Sequence, residues 1–236
     1  MTAIGRSPRR TQAERRASSE DALLRAAAEL IAERGFERTS LRSIGGRAGT
    51  SREMPAYHFG SKEALITRLA ERAHERTLQA TAKVLEATNQ QIHDLSALET
   101  LRLTIETYLE VFAASDAPEE RALMVMWGAT FTSDCPLPTI IDTDRQTHAA
   151  LVDTIRAGQE DGSIRTDVDA DAAAVLLMGM ARGTAALSLA HPDAADPAKV
   201  REFCGEVMVA SLRNQPAPAT AARTQTTPTR RSSRSR

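Results

Sequence analysis

The chain is poor in aromatic residues and in cysteine, and it has no long apolar run. Each shortage removes a class of protein. Aromatics make up 3% of the 236 residues while apolar residues reach 42%, so a core must be largely aliphatic and alanine-rich. Two cysteines, Cys135 and Cys204, are too few for a disulfide framework and lack metal-ligand spacing. No run of about 18 apolar residues marks a membrane span. The opening "MTAIGRSPRR" is basic without the apolar segment of a signal peptide, so a cytoplasmic chain is expected. His74-Glu75 has no second histidine at zinc-motif spacing, and neither a nucleophile elbow nor a phosphate loop occurs. The expectation is a protein that is not an enzyme and holds no metal or cofactor.

The net charge of −1 conceals a polarity along the chain. Residues 1–62 carry 12 basic and 7 acidic side chains, whereas residues 63–213 carry 13 basic and 24 acidic. Such asymmetry suggests that one part meets a polyanion and the other does not, although a solvated surface would give the same counts. Residues 1–18 and 214–236 are polar and arginine-rich, and both are expected to be disordered.

Between these ends helix signals recur. Leu23, Ala27, Leu30 and Ile31 fall on one face of a helix over 19–35, closed by Gly35. Thr39-Ser40 can cap a short second helix carrying Leu41, Ile44 and Ala48, with Gly45-Gly46 inside it and Gly49 at its end. In "TSREMPAYHFG", Thr50 and Glu53 have the spacing of a capping box, which predicts a third helix kinked by Pro55 and closed by Gly60. Ser61 can cap a helix over 62–87, about 37 Å long. Further helices are predicted over 95–114, from Pro118, over 138–162, 169–190 and 197–212. No segment alternates like a strand, so the fold class is all-α. Three helices, two of them short and joined by a glycine-containing turn, make a helix-turn-helix over 19–65, followed by a helical domain over 66–213.

"ALLRAAAELIAERGFERTSLRSIGGRAGTSREMPAYHFGSKEALI" resembles the DNA-binding region of the tetracycline-repressor (TetR) family of bacterial regulators. Gly35-Phe36, Thr39-Ser40, Ile44, Ala48-Gly49, Tyr57, Phe59 and Ser61-Lys62-Glu63 carry the likeness. "GSIRTDVDADAAAVLLMGMARGTAALSLAHP" is similar to the family's penultimate helix and the turn before it. Gly45-Gly46, Thr50 and Met54-Pro55-Ala56 depart from the family pattern. The resemblance implies a homodimeric, ligand-responsive repressor binding a palindromic operator in double-stranded DNA, released by an unidentified small-molecule effector. A constitutive or architectural DNA-binding protein whose C-terminal domain only dimerises is the alternative.

A helix-turn-helix sets the start of its second helix against base edges. Arg52 can donate twice to guanine, and Glu53 can accept from cytosine or cap the helix. Tyr57 and His58 can donate to phosphate, a role the resemblance favours for Tyr57. Lys62 can meet phosphate at a helix start, and Thr39 and Ser40 can do so or simply cap. Arg42 and Arg47 are weaker candidates. Tyr108, Phe112, Met124, Trp127, Phe131, His148, Met178 and Arg182 could line an apolar effector pocket or pack a core. Gly179 and Gly183 allow close helix approach beside Leu176, Leu187 and Val207, which suits a dimer interface or packing within the chain. The helix from Lys62 would join reading head to pocket.

Overall fold

The computed structural model describes residues 11–88, 91–113, 118–131 and 137–214. Over these residues the chain is helical throughout, with one isolated antiparallel bridge between Ile164 and Arg213. The helices are α1 (Gln12–Arg34), α2 (Leu41–Arg47), α3 (Met54–Phe59), α4 (Lys62–Thr88), α5 (Ala97–Ala113), α6 (Pro118–Ala129), α7 (Pro138–Glu160), α8 (Ala170–Ala190) and α9 (Pro197–Leu212). Prolines open α6, α7 and α9, where the missing N–H has no intrahelical partner to lose. Asp169 and Asp196 cap α8 and α9 through their carboxylates.

Two local expectations are corrected. α1 begins at Gln12, so residues 12–18 are helix and not a disordered arm. The cause is a capping box: the Thr11 N–H donates to the Glu14 carboxylate at 2.7 Å and the Glu14 N–H donates to the Thr11 hydroxyl at 3.2 Å. The rest of the expected arm, residues 1–10, lies outside the described residues, as do 215–236 and Cys135. The second correction concerns α3. It starts at Met54, and its N-cap Glu53 makes no side-chain cap bond. Pro55 therefore sits at the second helical position, where its ring fits without a kink. Thr50 turns back on α2 instead, its N–H donating to the Gly45 carbonyl at 3.0 Å.

Gly45 explains how α2 and α3 come so close. A Cβ there would stand 2.6 Å from the Ser51 carbonyl oxygen and 3.2 Å from Pro55 Cδ. At Gly46 a Cβ would meet nothing within 4 Å. Adjacent alanine substitutions should therefore differ in sign. Gly46→Ala is expected to raise stability by about 1 kcal/mol, the helix cost of glycine. Gly45→Ala must push the turn open and lower stability. Thermal unfolding of the two variants checks this, and shifts of equal sign would contradict the reading.

Packing divides between two apolar cores. One gathers Leu23, Leu24 and Ile31 of α1, Ile44 of α2, Leu65, Ile66 and Leu69 of α4, and Ala122 and Met126 of α6. The other gathers Leu101, Ile105 and Phe112 of α5, Ile155 of α7, Leu177 of α8 and Met208 of α9. The first core crosses the boundary expected at residues 65–66, because α6 packs on α1.

Candidate functional site

The reading head presents the start of α3 to solvent. Tyr57 is 77% exposed, with its ring edge-on to His58 at 5.7 Å between centroids. Arg52 and Glu53 are exposed in the turn before α3, and Arg52 makes no hydrogen bond or ion pair among the described residues. His58 and Phe59 are half-buried. Three other candidates are occupied within the chain. Thr39 is buried and its hydroxyl donates to the Gly35 carbonyl at 2.9 Å, so the expected phosphate contact is corrected to a structural bond. Lys62 is likewise turned inward: Nζ donates to the Phe36 carbonyl at 2.7 Å and lies 3.6 Å from the Phe36 ring centroid. Ser40 is exposed, but its hydroxyl accepts the Ser43 N–H at 3.2 Å as the cap of α2.

Electrostatics separate the front of the head from its back. Arg47 forks onto Glu33 at 2.7 and 2.8 Å and reaches Glu29 at 3.3 Å. Hydrogen bonds from Arg47 hold the Glu33 carboxyl below its usual range. Arg68 pairs with Glu20 at 2.9 Å, and Arg72 pairs with Asp21. Many acids of the head are thus neutralised on its α4 side and behind α2, while Arg42 and Arg52 remain exposed.

An ionic junction that the sequence did not signal ties α4 to α6. Glu119 and Glu120, at the start of α6, are 3% and 1% exposed. Arg76 lies 3.1 Å from an oxygen of each, and Arg72 3.6 Å from Glu119. The Arg76 N–H is not aimed at Glu120, whose two buried oxygens accept no hydrogen bond among the described residues. Burial pushes the Glu120 carboxyl above its usual range.

α6, α7 and α8 line an open cavity of about 460 Å3. Four expected residues line it: Trp127, His148, Met178 and Arg182. Asp144, Arg145, Val175 and Gly179 complete the wall. Arg182 forks onto Asp144, with one N–O distance of 2.8 Å, and stands 5.0 Å from the centre of the Trp127 ring. The Trp127 indole N–H donates to the same carboxylate at 3.1 Å. The other four expected residues lie outside this lining. Phe112 is buried in the second core, and Tyr108 stacks on it at 4.6 Å, its phenol pushed up to about 12 by burial. Met124 faces a separate cavity of about 280 Å3. Phe131 lies on the surface with its ring against Trp127. α4 contributes no lining residue, so the expected direct junction of the long helix with the pocket is also corrected.

The family model "Bacterial regulatory proteins, tetR family" matches residues 23–69, and "BetI-type transcriptional repressor, C-terminal" matches residues 97–213. The HTH-type transcriptional repressor KstR2 of Mycolicibacterium smegmatis is 30% identical over 156 residues, covering 66% of this chain and 72% of that protein. The chain belongs to the TetR family. A second TetR-type relative, the HTH-type transcriptional regulator TtgR of Pseudomonas putida, is 27% identical over 180 residues, 74% of this chain and 81% of that one. The structure of the ketosteroid transcriptional regulator KstR2 of Mycobacterium tuberculosis shares the fold, with a TM-score of 0.60, 20% identity and coverage of 87% and 98%. As a TetR-family protein the chain is a DNA-binding transcriptional regulator.

On this TetR-type body, α8 and α9 leave an apolar face open. Leu176 is 67% and Leu187 64% exposed, and Val175, Phe203 and Val207 are exposed beside them. Gly179 and Gly183 lie on the same stretch of α8, with nothing within 4 Å of an added Cβ. α8 is long and apolar enough, by length and composition alone, to cross a membrane, with a mean hydropathy of 1.5. It nevertheless carries Arg182, paired with Asp144 inside the body.

Proposed function

We propose that this chain is a homodimeric, ligand-responsive repressor that grips a palindromic operator and is released by a small molecule filling the α6–α8 cavity. The carrying observation is the position of α6. Its Met126 is packed in the core with α1 and the reading head, while the adjacent Trp127 lines the cavity. A ligand that shifts Trp127 acts on the element against which α1 is packed. Cavities of this size and apolar character suit small molecules. The open α8–α9 face supports a two-fold dimer, which would present two reading heads to successive major grooves about 34–36 Å apart, or a multiple of that. The working compartment would be the cytoplasm. The architectural alternative leaves the cavity without a purpose.

In this reading Arg52 contacts a base edge, with Glu53 beside it, while Tyr57 and His58 donate to phosphate. Arg52→Ala should cost about 1–3 kcal/mol at one base position and leave the others unchanged, as measured on a set of single-base operator variants. Uniform weakening would instead assign Arg52 to phosphate. The switch itself is tested by linkage. Coupling of about 1–3 kcal/mol weakens DNA binding about 5- to 150-fold, and operator must weaken ligand by the same factor. Ligand titrations with and without saturating operator measure it. Equal affinities would remove the switch, however tightly the molecule bound.

A further inference from the structure

The ion pair of Arg182 with Asp144 stands in the lining of the α6–α8 groove, where Arg145 is already paired with Asp142 at 3.1 Å and His148 lies 4.0 Å from Asp171. We propose that the effector is an apolar molecule bearing a carboxylate, and that it binds by taking the place of Asp144 on the Arg182 guanidinium. The inference rests on reading the cavity as the effector site, and it names the chemistry that site selects.

The choice of sign follows from what each kind of ligand leaves behind. A cation that captured Asp144 would strand Arg182, a largely buried guanidinium with no second acid in the cavity wall. Breaking one partner of such a pair is strongly unfavourable. A cation would also find the Trp127 face already approached by Arg182. A carboxylate meets neither obstacle. It matches the planar fork of Arg182, which exchanges one carboxylate for another. The displaced Asp144 keeps the Trp127 indole N–H at 3.1 Å. It also lies one helical turn from His148, at the i,i+4 spacing that lets side chains meet, while Arg145 is held by Asp142. Within the chain itself Asp144 thus holds the place the ligand's carboxylate would take, while Trp127 and Met178 offer the apolar wall for the rest of the molecule.

Trp127 is the single tryptophan of the chain, so its emission reports this cavity alone. The test titrates the full-length protein with decanoate, decyltrimethylammonium and 1-decanol, each kept below its micelle concentration. Decanoate should give a saturable change in emission, with the ammonium and the alcohol at least about tenfold weaker. Asp144→Asn removes the internal competitor and should tighten decanoate by about tenfold. The unsubstituted chain carries the comparison between ligands even if that variant folds poorly. Equal affinities, tighter binding of the ammonium, no saturable change with decanoate, or weaker decanoate binding to a folded Asp144→Asn chain would each overturn the proposal. Repeating the titration on operator-bound protein separates the two claims. Decanoate that binds as expected but leaves operator affinity unchanged removes the ligand-responsive reading and keeps the chemistry of the site. Release from operator by the ammonium does the reverse.

Discussion

Replacing Arg76 with methionine should cost the fold about 3 kcal/mol or more, an unusually large effect for a residue near the surface. The reason lies in what Arg76 covers. It faces two adjacent buried carboxylates, Glu119 and Glu120, and among the described residues no other arginine is paired with Glu120. Arg72 stands 3.6 Å from Glu119 and is already paired with Asp21, so it compensates only in part. Methionine keeps much of the apolar stem and removes the charge, so the loss reports electrostatics more than packing. Denaturant unfolding followed by circular dichroism measures it, and a change below about 1 kcal/mol would mean that water reaches the junction. The pH dependence supplies a second check. Because burial raises the folded-state pKa of Glu120 above its unfolded value, the folded chain holds that proton more tightly. The contribution of Glu120 to stability is therefore greatest below the ordinary glutamate range and falls as pH rises through the folded-state value. Glu120→Gln should remove this component of the pH profile, and an unchanged profile would assign it elsewhere.

The second large effect is expected on the open face of α8. Introducing Leu176→Glu and Leu187→Glu together should yield a folded monomer whose operator affinity is lower by about 100-fold or more, the loss that follows when two linked contacts become one. Both side chains are mostly exposed in the single chain, so neither substitution opens a cavity or breaks a core contact. Across a two-fold interface each would place charge against Phe203 and Val207 or against its own counterpart. Sedimentation gives the mass, circular dichroism the fold, and a mobility-shift titration the affinity. A double variant that remains dimeric would move the interface elsewhere. A monomer that binds operator as tightly as the parent would remove the need for a dimer.

Much of this architecture was legible in the residues. The all-α class followed from apolar spacing, and the prolines and aspartates that open the later helices marked their starts. The start of α1 was missed because Thr11 and Glu14 cap a helix whose first turns are polar and lack the apolar stripe that periodicity detects. The opposite error arose at α3. Thr50 and Glu53 had the right spacing for a capping box, but the nearby α2 backbone offered Thr50 a carbonyl acceptor, and that bond prevailed. Local pattern cannot show tertiary competition of this kind. Trp127, His148, Met178 and Arg182 were recognisable as a polar-edged apolar set, whereas Asp144 was hidden because an acid on a helix reads as solvated surface. Glu119 and Glu120 were hidden for the same reason. Only the arrival of Arg76 from a distant stretch makes their burial tolerable.

The shared core of α1, α2, α4 and α6 limits how this molecule can be taken apart. A fragment ending near residue 90 would keep every helix of the DNA-reading motif, yet it would strip Ala122 and Met126 from Leu23, Leu24 and Ile31 and leave an oily flank facing water. Anyone grafting this head onto a foreign sensor would have to transplant α6 with it, or repaint α1 with polar residues. The same arrangement also makes chimeras between distant relatives hazardous. A head and a body that each fold well in their own parents would meet through a seam neither had been fitted to, and would signal poorly even where both survived.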